Sequence, residues 1–129
     1  MITHSEGLTD KEHLAKVMVD HTSLVVSYHL AIEIIDQYLE RCVEVYENQD
    51  LVGYVLIFNV NGERSMHGFK LIEGHSLEAY RIAKLYADQY AGIVITTTVD
   101  KVMVTKLANM LGFEPTVCAW NVVKFERVK

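Results

Sequence analysis

Six histidines are the side chains of this sequence that could exchange protons near neutral pH. A histidine has an unperturbed pKa that suits a general base, and paired histidines can also bind a metal ion. They occur as His4, His13, His21, His29, His67 and His75. No His-Glu-x-x-His motif and no pair four residues apart is present, so the spacing that places two imidazoles on one helix face is missing. We therefore expect scattered histidines and no metal site.

Nucleophilic chemistry has little support in the sequence. The Gly-x-Ser-x-Gly motif that marks an exposed nucleophilic serine does not occur. Cys42 and Cys118 lie far apart and form neither a Cys-x-x-Cys pair nor a metal-binding spacing. A chain without a disulfide framework is typical of a reducing compartment, which predicts a cytoplasmic protein.

The composition is that of one soluble domain. Half of the 129 residues are hydrophobic, which is enough for one sizeable core. We expect a single domain over residues 1–129, with residues 1–8 as a loose lead-in that lacks the apolar stretch of a signal peptide. The longest apolar run, residues 52–58, is too short to span a bilayer, so no membrane is expected. The net charge of −5 and the scattered lysines and arginines argue against nucleic acid as a partner.

Two helices are predicted in the first third of the chain. Thr9 followed by Glu12 fits a capping box, and apolar residues then recur at helical spacing, which predicts a helix over residues 10–21. The same periodicity predicts a second helix over roughly residues 29–39. Between them, residues 24–26 could form a short strand.

The middle of the chain has the pattern of a β-meander. From residue 41 the apolar period changes to two, and residues 51–60 are nearly all apolar, as in a central buried strand. Asn61-Gly62 is the strongest hairpin signal in the sequence, and residues 66–72 follow as the next strand. These three segments predict three consecutive antiparallel strands.

Helices and strands alternate in the last third. Ser76 is the predicted N-cap of a helix that begins at Leu77, and a short buried strand follows at residues 93–98. The next helix ends at Gly112, and residues 117–125 alternate as a single closing strand. We expect that helix to turn its apolar side chains inward, namely Met103, Leu107, Met110 and Leu111.

This order of elements predicts the fold class. A strand–helix–strand unit over residues 66–95 implies a parallel crossover, whereas the meander is antiparallel. We therefore expect an α/β (α+β) fold with a mixed, mostly antiparallel central sheet and helices on both faces.

A family resemblance rests on the segment Leu111-Gly112-Phe113-Glu114-Pro115, which ends a helix that follows a short apolar strand. Together with the Asn61-Gly62 hairpin and the order of elements, this segment resembles the GNAT superfamily of acetyl-CoA-dependent N-acetyltransferases over roughly residues 40–127. The resemblance implies acetyl-CoA as the cofactor and the amine of a small molecule or protein as the acceptor. It also allows a homodimer.

The resemblance implies a cofactor site at the strand-to-helix connection, formed by Leu71, Ile72, Gly74, His75, Ser76 and Leu77. GNAT enzymes usually carry an Arg/Gln-x-x-Gly-x-Gly/Ala signature there, whose backbone N–H groups hold the cofactor pyrophosphate. The connection here is shorter, begins without Arg or Gln, and contains Glu73, whose charge is unfavourable beside phosphates. A tight turn with an N-cap is the structural alternative for this segment.

The resemblance also bears on the catalytic residues. His67 and Glu44, with His75, are the titratable residues nearest the expected cleft, and His67 and Glu44 are the candidate catalytic bases. A structural role is the alternative for His67. Family members often place a tyrosine acid four residues before the glycine of Leu-Gly-Phe, where this sequence has Ala108. Lys101 replaces an asparagine that is common near the start of the same helix.

Two functions of different classes follow from the resemblance. One is acetyl transfer from acetyl-CoA to an amine. The other is a GNAT-fold binding or assembly protein without catalysis, like the small phage proteins that share this fold. The family favours the first, whereas the incomplete cofactor signature and Ala108 favour the second.

Overall fold

The computed structural model describes residues 1–21, 27–69, 74–98, 100–119 and 121–127. These residues contain seven strands and four helices. The strands are β1 Ile2–Glu6, β2 Leu39–Glu47, β3 Asp50–Val60, β4 Glu63–Phe69, β5 Val94–Thr98, β6 Phe113–Ala119 and β7 Val122–Arg127. The helices are α1 Lys11–His21, α2 Tyr28–Tyr38, α3 Ser76–Ala87 and α4 Val102–Met110.

All seven strands belong to one sheet with the order β1-β2-β3-β4-β5-β7-β6. Strands β1 to β4 form antiparallel neighbours, and β7 pairs antiparallel with both β5 and β6. Strand β5 pairs parallel with β4, as expected for a strand–helix–strand crossover through α3. The predicted mixed, mostly antiparallel sheet is therefore confirmed.

The β3–β4 hairpin turns at the predicted Asn61-Gly62 pair. Both residues have positive φ angles, 53° and 90°, which is the backbone of a type I′ turn. The N–H of Gly62 also donates a hydrogen bond of 2.9 Å to Asn59 Oδ1. Because this turn matches the twist of the two strands, it fixes their register.

Strand β3 supplies side chains to both faces of the sheet, and each face has its own apolar core. Val55 and Ile57 pack on the face covered by α3 and α4. Tyr54, Leu56 and Phe58 pack on the opposite face, which α1 and α2 cover. This alternation has the period of two that a strand imposes, and it confirms the expected helices on both faces.

The prediction of a loose lead-in is wrong for residues 2–6. They form edge strand β1, which pairs antiparallel with β2, and Gly7 N–H continues the pairing with a 2.8 Å hydrogen bond to Cys42 O. The Arg41 guanidinium also forms an ion pair with Glu6. Four of the five residues of β1 are exposed, so the strand lacks the apolar alternation by which sequence patterns identify strands.

Two predicted helix caps are also wrong. The N–H of His13 is accepted by Asp10 Oδ1 at 3.0 Å, so Asp10 and not Thr9 caps α1. The Thr9 hydroxyl donates instead to Glu44 on β2. Ser76 is the first residue of α3, and the capping position falls on His75, whose side chain makes no capping hydrogen bond.

The predicted single closing strand is a hairpin. Strands β6 and β7 pair antiparallel from Phe113↔Arg127 to Ala119↔Val122. The alternating pattern runs through the turn without a glycine or proline, so the sequence shows no break there.

The end of α4 was predicted partly correctly. Leu111 and Phe113 are buried, with 4% and 2% of their surface exposed. In contrast, Met103 and Met110 are 47% and 66% exposed and do not face inward. None of the helices described is long and apolar enough to cross a membrane.

Candidate functional site

The pairing between β4 and β5 is incomplete and leaves a gap in the ladder of the sheet. The two strands share a single register pair, Ser65↔Val94, near the start of each strand. Beyond it β4 continues to Phe69 and β5 to Thr98, and the described parts of the chain add no further pair between them. The described carboxyl ends of these parallel strands are therefore not paired with each other, and open α/β sheets bind their ligands at such strand ends.

A cleft lies between the helices that follow these two strands. Its cavity of about 550 Å³ is lined by Ser76, Leu77, Tyr80, Met103, Lys106, Leu107, Asn109 and Met110. The first three residues belong to the first turns of α3, and the others to α4. Because α3 follows β4 and α4 follows β5, the chain connects both walls of the cleft to the carboxyl ends of these two strands.

The cleft combines an apolar wall with partial positive charge at the start of α3. Leu77, Met103 and Met110 expose much of their surface to solvent, which is uncommon for side chains of this size. At the start of α3, backbone N–H groups lack helical acceptors, and the helix dipole adds partial positive charge. Such a site can hold an extended molecule with an apolar part and an anionic part.

Only some of the predicted cofactor residues line this cleft. Ser76 and Leu77 line it directly. Gly74 and His75 immediately precede α3, with Gly74 exposed and His75 half-buried. Leu71 and Ile72 lie outside the described residues.

Sequence reasoning missed the α4 wall of the cleft. Met103 and Met110 were assigned to the core because apolar residues usually face inward, and Lys106 was not singled out. Ala108 is fully buried and therefore marks the inward side of α4. The preceding residue, Leu107, lines the cleft. The signal that could have identified this wall is the excess of apolar residues over a nine-residue helix, because they cannot all fit on one buried stripe.

Glu44 is a buried carboxylate on β2 with 2% of its surface exposed. Its Oε2 accepts hydrogen bonds from the N–H and the hydroxyl of Thr9, at 3.0 and 2.7 Å. Its Oε1 accepts a bond of 3.2 Å from the Tyr46 hydroxyl. Burial and this negative charge raise the pKa of the neighbouring Cys42 thiol to about 12. The two bonds from Thr9 anchor the start of α1 to the sheet, whereas the bond from Tyr46 lies within β2.

His67 lies half-buried on β4, just beyond the register pair with β5. Its ring stacks on Phe69 with centroids 6.2 Å apart and meets the edge of Phe58 at 5.4 Å. Its Nε2 is 3.1 Å from Ser65 Oγ. Burial lowers the pKa of His67 to about 4, so the ring is neutral at pH 7.

The two candidate bases are on the same face of the sheet but not together. Glu44 is opposite Tyr54, whereas His67 is opposite Leu56, and no hydrogen bond among the described residues joins the two. Both face the α1–α2 layer, away from the α3–α4 cleft. A group in the cleft could approach His67 only through the gap between β4 and β5.

The histidines form no metal centre in the part of the chain that the structure describes, where no three His, Cys, Asp or Glu side chains meet in a metal-binding arrangement. His13 illustrates their structural use, since its Nδ1 lies 2.8 Å from the hydroxyl of the buried Tyr54.

Comparison with known proteins identifies the fold. No family model and no curated protein matches the sequence. A Bacillus subtilis acetyltransferase solved with CoA is 10% identical, with a TM-score of 0.75 and 98% of each chain covered. The ribosomal-protein-S18-alanine N-acetyltransferase of Escherichia coli is 14% identical, with a TM-score of 0.70, covering 98% of this chain and 93% of that one. A variant of the spermidine N-acetyltransferase from Vibrio cholerae is 13% identical, with a TM-score of 0.69 and coverages of 97% and 92%. At these identities the likeness concerns the fold, and the chain has the fold of the GNAT acetyltransferases.

Proposed function

We propose that the protein binds acetyl-CoA in the α3–α4 cleft and transfers the acetyl group to an amine. The observation that carries this proposal is that the two walls of the cleft are the helices that follow β4 and β5, the strands on either side of the gap. An apolar chain lying in the cleft can direct its end into this gap. The CoA-bound acetyltransferase of the same fold supports the choice of ligand.

The chemistry requires a carbon–nitrogen bond to form and a carbon–sulfur bond to break. The amine must lose a proton, and the thiolate that leaves must gain one. Of the two candidate bases, His67 lies on a strand that borders the gap, and we assign it as the base that accepts the proton of the amine. Its pKa of about 4 keeps it unprotonated at pH 7 but also makes it a weak base.

The position that often supplies the acid in this family carries no acidic group in this chain. Ala108 has a fully buried methyl group at the position where family members often have a tyrosine. Transfer in this chain would then depend mainly on placing the amine against the thioester, a contribution that can be large on its own. Glu44 is already engaged by three donors, and its role in the proposal is to hold α1 over the sheet.

The second candidate is a GNAT-fold protein that binds a ligand or partner without catalysis. Ala108 favours this second candidate, because the side chain at the acid position is fully buried in the core. The weak basicity of His67 favours it as well. The two candidates share the cleft and differ in turnover.

A thermal-shift titration with acetyl-CoA tests whether the cleft that the two candidates share binds this ligand. A ligand at about 100 times its dissociation constant adds roughly 2.7 kcal/mol to stability. Leu77→Glu should abolish the shift, because Leu77 is exposed in the cleft and the new charge would oppose the phosphates. Leu85→Glu on the same helix is the matched control, since Leu85 is 49% exposed and does not line the cleft.

Release of free thiol in the presence of amines separates the two candidates. Spermidine and a peptide with an N-terminal alanine are suitable acceptors, because proteins of this fold act on them. Stabilisation together with thiol release supports the transferase. Stabilisation without thiol release across a panel of amines supports the binding protein, and no shift at millimolar acetyl-CoA refutes the transferase.

A further inference from the structure

We infer that Lys106 on α4 binds a phosphate group of the CoA nucleotide, opposite the N-terminus of α3. This inference rests on the proposed acetyl-CoA site and identifies which residue of this chain supplies the positive charge there. Lys106 lines the same cavity as Ser76 and Leu77.

The charge pattern of the cleft is the first argument. Among the eight residues that line the cavity, Lys106 is charged and the other seven are neutral. Glu78, in the first turn of α3, is outside the lining and forms an ion pair of 3.2 Å with Arg81. In a protein with a net charge of −5, the cleft thus combines a lysine with the positive end of a helix dipole.

The position of Lys106 on its helix is the second argument. Lys106 is exposed, and it follows Met103 and precedes Met110 on the helix side that forms the wall of the cleft. A lysine in such a place can lay its carbon chain along the apolar wall while the ammonium group reaches the mouth of the cleft. No ion pair between Lys106 and a carboxylate occurs among the described residues, so no carboxylate in that part of the fold neutralises its charge.

The sequence of the strand-to-helix connection is the third argument. It lacks the Arg or Gln with which the family signature begins, and it carries the acidic Glu73. A phosphate at the start of α3 would therefore gain from a cation brought by another element. Lysine serves this purpose as a compact point charge with three donors.

Calorimetric titrations with CoA, dephospho-CoA and pantetheine test the inference. Lys106→Met should weaken CoA binding about tenfold, as expected for the loss of one charge-assisted hydrogen bond, and leave pantetheine binding unchanged. Lys84→Met is the matched control: it removes the same charge from the last turn of α3, outside the cavity lining, and should leave CoA binding unchanged.

The three ligands also show which phosphate of CoA Lys106 contacts, the 3′-phosphate or the pyrophosphate. If Lys106 contacts the 3′-phosphate, which dephospho-CoA lacks, the variant and the wild type should bind dephospho-CoA equally. If it contacts the pyrophosphate, both nucleotides should bind more weakly to the variant. Equal CoA affinity for Lys106→Met and the wild type, or an equal loss for pantetheine, would overturn the inference. Failure of the wild type to bind CoA at all would instead refute the proposed function on which it rests.

Discussion

Glu44 and His67 show that the neighbours of a titratable residue decide what it can do. Both were named from the sequence because their side chains can accept a proton. In the structure Glu44 holds Thr9 and Tyr46, and His67 is inserted between Phe58 and Phe69. The residue types could be read from the sequence, but the partners come from strands and helices that only the fold brings together.

Burial of His67 should make the stability of the protein depend on pH. Its pKa falls from 6.5 in the unfolded chain to about 4 in the folded protein, so the unfolded chain binds the proton more readily between these values. The stability that neutral His67 supplies is present above pH 6.5 and is lost as the pH falls towards 4. We expect a loss on the order of 1–2 kcal/mol from pH 7 to pH 5.

Urea unfolding of the wild type and of His67→Phe at both pH values measures this contribution. The phenylalanine variant keeps a ring between Phe58 and Phe69 but cannot titrate, so its stability should change less. The lowered carboxyl pKa values of Glu6 and Glu40 act in both proteins and cancel in the comparison. Parallel profiles for the two proteins would show that His67 does not titrate as proposed.

Ala108 is the second residue whose surroundings restrict its chemistry. Because its side chain is fully buried, Ala108→Tyr must force a ring into a core packed around a methyl group. We expect a loss of roughly 1–3 kcal/mol in the free energy of unfolding. Val102→Tyr is the control, since Val102 is 62% exposed on the same helix and should accept the ring at little cost. Equal stabilities for the two variants would mean that there is room for an acid at position 108.

At the scale of elements, the start of α1 is attached to the sheet by a buried carboxylate. Thr9 precedes the capping residue Asp10, and both its N–H and its hydroxyl donate to Glu44. These bonds connect the β1–α1 turn to β2. Glu44 thus fixes the β1–α1 turn on the sheet, beside the apolar packing that holds α1 itself.

Glu44→Gln should reveal the strength of this attachment. The amide keeps one acceptor oxygen but presents an NH₂ group to donors on Thr9 or Tyr46. We expect a loss of about 1.5–3 kcal/mol, the range for hydrogen bonds to a charged group. Glu47→Gln on the same strand is the control, because Glu47 is exposed. Chemical denaturation of both variants measures the difference, and equal costs would rule out the attachment.

Elements with a strong apolar period were predictable from the sequence, and elements without one were not. The helices of residues 11–21 and 28–38, the β3–β4 hairpin and the buried Phe113 agree with the sequence patterns. Strand β1 was missed because it is an exposed edge strand, and the β6–β7 turn because it lacks glycine and proline. The cleft was half predicted, since the α3 side follows from the family resemblance, whereas the α4 side depends on which face of that helix the sheet covers.

At the scale of the whole molecule, two apolar cores share one strand. The core on the α1–α2 side contains Leu14, and the core on the α3–α4 side contains Ile82. Strand β3 supplies buried side chains to both, so neither core can lose its packing without exposing one face of β3. The two layers should therefore unfold together.

Matched truncations in the two cores test this coupling. Leu14→Ala and Ile82→Ala each remove a buried aliphatic side chain, with 0% and 3% exposed, and each should cost about 2–5 kcal/mol. If the cores are coupled through β3, each variant should show one transition by circular dichroism, and slow amide exchange should be accelerated by the same factor in α1 and in α3. Loss of protection in only the mutated layer, with the other layer unchanged, would show that the sheet separates two units that unfold independently.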